Sequence, residues 1–129
     1  VFHTPSRINS TWGGNIVDMM RFKKYLEIIQ DENLVENAAV VGDYLLGKLT
    51  DLQQKYPALL ANARGKGLYA AIDLPNGELR SKAIAKMFER NVIILGSGKQ
   101  SIRFRPALNI KEAHIDEALD TMESVLKEL

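Results

Sequence analysis

Leu34, Ala38, Val41, Leu45, Leu49, Leu52 and Tyr56 recur at three- and four-residue steps, and Pro57 follows directly. A stripe of that length on one face commits the chain to a long helix with an apolar side that must cover something. Asn33, with Glu36 three residues on, reads as its capping-box start, and the proline as its stop. What the helix covers is set by the next stretch, where the apolar period changes. Residues 67–74 (GLYAAIDL) form a short, mostly apolar run bounded by Gly65-Lys66-Gly67 and Pro75-Asn76-Gly77, which predicts a strand. Leu79, Ala83, Ile84, Met87 and Phe88 return to the helical period. Val92-Ile93-Ile94-Leu95 predicts a buried strand ending at Gly96. Ile102 and Phe104 alternate with Ser101, Arg103 and Arg105, the pattern of a strand with one polar face. A last helix carries Ile115, Ala118, Leu119, Met122, Leu126 and Leu129, with Asn109 and Glu112 read as its opening. Before all of this, Gly13 and Gly14 end a polar lead-in, and Ile16, Met19, Met20, Tyr25, Leu26 and Ile29 predict a first helix.

The expected order is therefore helix, helix, strand, helix, strand, strand, helix. Helices covering one side of a small mixed or antiparallel sheet satisfy that order, so the class is α+β, or α/β by a looser definition. The expected division is residues 1–30, a loop and connecting helix belonging to a neighbouring domain, and residues 31–129, the compact small domain.

Composition narrows the function. With 129 residues the chain can build one compact core but not two. Seventeen Lys and Arg against sixteen Asp and Glu leave a charge of +1, neither a basic surplus for nucleic acid nor an acidic tail. The absence of cysteine removes disulfides, thiolate metal sites and a thiol nucleophile, and fits a cytoplasmic location. No apolar run approaches the roughly 20 residues that cross a bilayer. The start at Val1 reads as a piece of something larger.

Several apparent motifs fail on context. Gly65-Lys66-Gly67-Leu68-Tyr69-Ala70 spells a dinucleotide fingerprint, but its glycines precede the strand instead of following one. Gly98-Lys99 lacks the hydroxyl residue of a phosphate loop and reads as a hairpin turn. His3 and His114 share no metal-ligand spacing. Trp12, Tyr25 and Tyr69 do not interleave with basic residues as a nucleic-acid platform requires.

Two segments carry more. Residues 6–15 (SRINSTWGGN) place hydroxyl and amide side chains at a helix start, where free N–H groups and the helix dipole favour an anion. A plain helix cap is the competing account, and it uses one of those ten residues. In residues 101–106 (SIRFRP), Arg103 and Arg105 project to one face, and a guanidinium held on a strand suits a carboxylate bidentately. The competing account is a surface salt bridge, which is the better reading for Arg105.

These segments resemble class III aminotransferases, the fold type I enzymes that use pyridoxal 5'-phosphate. Many members show His-Gly-Ser-Thr-[Phe/Tyr]-Gly-Gly-Asn ahead of a helix. This chain keeps Ser10-Thr11, Gly13-Gly14 and Asn15, with Ile8-Asn9 and Trp12 as departures. Those departures are similar to the form found in lysine ε-aminotransferases. The Arg64-Gly65-Lys66-Gly67-Leu68 run, the Val92 to Leu95 segment and SIRFRP follow in the family's order. The resemblance implies a C-terminal piece of a homodimeric, cytoplasmic enzyme that moves the ε-amino group of L-lysine to 2-oxoglutarate. It implies that Thr11 hydrogen-bonds the cofactor phosphate in the partner subunit, that Asn9 lies near cofactor or substrate, and that Arg103 binds the α-carboxylate of 2-oxoglutarate or glutamate. It assigns no role to Arg105 and no metal. It places the Schiff-base lysine upstream of Val1, which leaves no catalytic residue here and makes the piece inactive alone. The alternatives are another ω-aminotransferase, acting on ornithine, acetylornithine or 4-aminobutyrate, or a self-standing interaction or regulatory domain.

Overall fold

A computed structural model describes His3 and residues 10–129. It divides into two compact units, Val1–Leu34 and Val35–Leu129. Asn9, and residues 6–8 of the polar lead-in, lie outside the described residues.

In the first unit, Ser10 begins a turn closed by Gly13 N–H donating to Ser10 O at 3.0 Å. Gly14 then adopts φ +83°, a left-handed conformation that glycine takes at no steric cost. Asn15 caps helix α1 (Ile16–Asp31), its Oδ1 accepting from Val17 N at 2.9 Å and Asp18 N at 3.2 Å. Ion pairs Arg21–Asp18, Lys23–Glu27 and Lys24–Glu27 run along the helix. Asn33 departs from the expected capping box. Its φ of +51° and its N–H bond to Gln30 O make it the left-handed stop of α1, and an N-cap needs an extended backbone instead.

Helix α2 (Leu34–Lys55) is the long striped helix. The second unit continues with β1 (Ala61–Lys66), β2 (Tyr69–Asp73), α3 (Gly77–Glu89), β3 (Leu95–Ser97), β4 (Ser101–Phe104) and α4 (Glu112–Leu126). The sheet order is β1-β2-β4-β3 and every pairing is antiparallel, which decides the mixed-or-antiparallel question left by the sequence. Strand alternation assigns the two faces. Ala70, Ile72, Ile102 and Phe104 point into one core with Leu45 and Leu49 of α2, Met87 of α3, and Leu119, Met122 and Val125 of α4. Each fully buried Leu, Ile or Met there contributes about 1.5–3 kcal/mol by leaving water. The helices thus cover one face of the sheet, and Ala71, Asp73, Ser101 and Arg103 occupy the other.

Three expectations change. Strand β1 (ANARGK) carries no β-branched or aromatic residue, so propensity does not announce it; pairing with β2 makes it a strand. Of the Val92 to Leu95 run only Leu95 enters a strand, at the sheet edge, and Ile93 and Leu95 are 79% and 54% exposed instead of buried. The run leaves α3 through Val92 N–H bonded to Met87 O, which holds it outside the ladder. Helix α4 starts after Lys111, not at Asn109; the preceding segment is instead held by Asn37 Nδ2 donating to Leu108 O and Ile110 O.

Candidate functional site

Arg103 is positioned by the register of β4. Its Cα partners are Ala71 on β2 and Leu95 on β3, and a slip of one residue would turn it into the core. Arg103 is half-buried and is among the residues that line a cavity of about 400 Å³ at the β3 side of the sheet. Arg105, beyond the end of β4, and His114, on the first turns of α4, line the same cavity. Ile94, Ile110 and Ile115 make its wall largely apolar. Neither Arg103 nor Arg105 forms an ion pair among the described residues, so the salt bridge expected for Arg105 is not made. A planar cationic fork without an internal acid partner, beside an apolar recess, suits a carboxylate with a short aliphatic body.

Behind Arg103, on the same sheet face, a polar cluster escaped the sequence reading. Arg64 of β1 donates from Nη1 to Asp73 Oδ1 at 2.9 Å and from Nη2 to Ser101 Oγ at 3.0 Å. Ser101 Oγ donates to Asp73 Oδ1 at 2.5 Å, and Asn62 Nδ2 to Asp73 Oδ2 at 2.9 Å. Burial alone would push the Asp73 carboxyl up, but the hydrogen bonds from Ser101, Asn62 and Arg64 outweigh it and hold it below its usual value. Arg64 stands in the Arg64 to Leu68 run and Ser101 in SIRFRP. Nothing in the sequence marks Asp73.

Thr11 is exposed on the turn ahead of α1. The expectation that free N–H groups of this helix end hold an anion meets Asn15, whose side chain already takes those of Val17 and Asp18. A phosphate at this turn would therefore rely on the Thr11 hydroxyl. The donor chemistry fits one contact to the phosphate of pyridoxal phosphate, and the two glycines leave the backbone open to it. Asn9 cannot be placed, lying outside the described residues. Among the described residues no group of three His, Cys, Asp or Glu side chains is arranged to hold a metal ion.

Comparison with known proteins identifies the family. The family model described as aminotransferase class-III matches residues 1–126. An L-lysine-epsilon aminotransferase of Mycobacterium tuberculosis is 43% identical over 98% of the chain, and that of Streptomyces clavuligerus 43% over 96%. The mitochondrial 4-aminobutyrate aminotransferase of Sus scrofa is 35% identical over 96% of the chain. The chain spans 28%, 27% and 25% of those three proteins. The solved lysine aminotransferase from M. tuberculosis superposes with a TM-score of 0.91 at 42% identity, covering 98% of this chain and 29% of that one. A Bacillus anthracis aminotransferase superposes at 0.88 with 26% identity over 95% of this chain and 30% of that one. On the whole-length family match and these relatives, the chain belongs to the class-III aminotransferases.

Proposed function

We propose that the protein carrying this chain is a pyridoxal-phosphate transaminase that moves the ε-amino group of L-lysine onto 2-oxoglutarate. The observation that carries the reading is Arg103, a half-buried arginine at the lining of a largely apolar cavity, with no acid partner among the described residues. The amino donor rests on identity, 43% to L-lysine-epsilon aminotransferases against 35% to a 4-aminobutyrate enzyme.

Bound pyridoxal phosphate supplies the electron sink of the reaction; the protein supplies binding and orientation. In this reading Arg103 grips the α-carboxylate of 2-oxoglutarate through a charge-assisted, bidentate pair. The Thr11 hydroxyl donates to the cofactor phosphate, in the partner subunit of a homodimer.

The two substrates react in separate half-reactions, so kcat/KM for each reports its own grip. Arg103→Ala in the intact holoenzyme is expected to lower kcat/KM for 2-oxoglutarate roughly ten- to a hundredfold, the size of a charge-assisted hydrogen-bonded pair. The value for lysine should stay within a small factor. Equal losses for both substrates would remove Arg103 from this role, and no loss for either would favour a domain outside the reaction. Faster turnover of 4-aminobutyrate, ornithine or acetylornithine than of lysine would reassign the donor.

A further inference from the structure

The Arg64-Gly65-Lys66-Gly67-Leu68 run does not line the Arg103 cavity, yet through Arg64 it reaches the Arg103 face. Asp73 is the one acidic residue among the described strands. It stands directly opposite Ser101, two residues from Arg103, and so is the diagonal cross-strand neighbour of Arg103 on one face. Such neighbours lie about 7–8 Å apart at Cα, within reach of a long side chain. An unengaged carboxylate there would be a standing internal partner for the Arg103 guanidinium.

Asp73 is not unengaged. It accepts hydrogen bonds from Asn62, Arg64 and Ser101, and its side chain is only 14% exposed. The chain bends to make this possible. The β1–β2 register shifts between Ala61 and Arg64, and Asn62 takes a left-handed φ of +55°, which brings its amide to Asp73. Arg64 faces Arg103 across Ala71, whose small side chain separates the two cations. One guanidinium is thus committed to the acid while the other is not.

We propose that Arg64 is a positioning residue for the keto-acid site: by occupying Asp73 it keeps Arg103 available to the substrate carboxylate. The inference rests on the carboxylate role of Arg103 given above. Removing Arg64 leaves Asp73 without its cationic partner, and Arg103 then turns toward it. The substrate must displace that internal acid, so it binds more weakly although no substrate contact has been deleted.

The test uses the intact holoenzyme and the two half-reactions. Arg64→Ala is expected to lower kcat/KM for 2-oxoglutarate roughly fivefold, about the strength of a partly exposed ion pair, with lysine unaffected. Adding Asp73→Asn to Arg64→Ala should restore the 2-oxoglutarate value, because the competing charge is gone, and Arg64→Lys should keep most of it. A purely structural cluster predicts the reverse: both half-reactions fall together, and the double variant is no better than Arg64→Ala. That result overturns the proposal. Should Arg64→Ala fail to fold, Asp73→Asn alone decides. An unchanged or higher kcat/KM for 2-oxoglutarate supports the proposal, and a fall refutes it. Arg103→Ala is measured alongside: if it spares 2-oxoglutarate the carboxylate reading itself fails, whereas a selective loss there with none in Arg64→Ala sinks only the present inference.

Discussion

At the residue scale, one amide decides how an anion can be held ahead of α1. Asn15 spends its side-chain oxygen on the N–H groups of Val17 and Asp18, so the helix end has fewer donors to offer a ligand. On the function proposed above, phosphate binding then leans on the Thr11 hydroxyl, and losing a hydrogen bond to a charged group costs about 1.5–3 kcal/mol. Thr11→Ala is therefore expected to weaken cofactor retention by tenfold or more while leaving the thermal midpoint of the apoenzyme in place. Dialysis followed by absorbance of the bound cofactor checks this. Retention equal to the parent would take Thr11 out of the site.

At the scale of elements, the β1–β2 hairpin is fastened by a close approach between two backbones. A Cβ on Gly42 of α2 would lie 2.2 Å from the Gly67 carbonyl carbon, so the helix rests directly on the turn. Gly67 itself sits at φ +54°, where other residues are strained. Gly47, on the same helix and five residues on, has nothing within 4 Å of such a Cβ. The pair separates packing from propensity. Gly47→Ala should raise the melting temperature by a few degrees, reflecting up to about 1 kcal/mol of helix propensity. Gly42→Ala gains the same propensity but must push the hairpin away, and overpacking costs about 1–3 kcal/mol, so its melting temperature should fall. Calorimetry on both variants reads the difference. A stabilised Gly42→Ala would mean that helix and turn are not in contact.

At the scale of the molecule, carboxylates on α4 tie the second unit together across its surface. Glu123 accepts from Lys55 at 2.6 Å, Tyr56 at 2.9 Å and pairs with Lys127 at 3.2 Å, which together lower its carboxyl to about 2. Tyr44 and Lys48 likewise lower Asp116, and the cations Lys86 and Arg90 lower Glu128, which follows the helix. A depressed folded-state value means stability that is present above the unfolded value and lost as pH falls through the folded one. For Glu123 that window runs from 4.5 down to about 2. Lys55 is shifted the opposite way, so its contribution is intact at neutral pH and lost only in alkali, above 10.5. Urea midpoints should be level from neutral pH to about 5 and fall below that. Glu123→Gln should flatten the acid slope; an unchanged slope would show that these exposed pairs carry none of the acid sensitivity.

Helices α1 to α4 could be read from the sequence because their information is local: apolar residues three and four apart meet on one face whatever surrounds them. The same holds for β4, whose strict alternation marks Arg103 as lying on a different face from Ile102 and Phe104. The family motifs added Thr11 and Arg103 as candidate residues, and the match over residues 1–126 accounts for the family's being recognisable from such short runs. Tertiary structure decided the rest. Strand β1 exists because β2 pairs with it, and Ile93 and Leu95 of the apolar Val92 to Leu95 run are exposed because the run meets a sheet edge rather than an interior. Asn33 and Asn109 have the right chemistry for caps but the wrong backbone or place, which neighbouring residues do not reveal. Arg64, Asp73 and Ser101 are separated along the chain and meet only through sheet register. Periodicity is written within a turn or two of chain, whereas the pairing of distant strands is settled by which faces can be buried together.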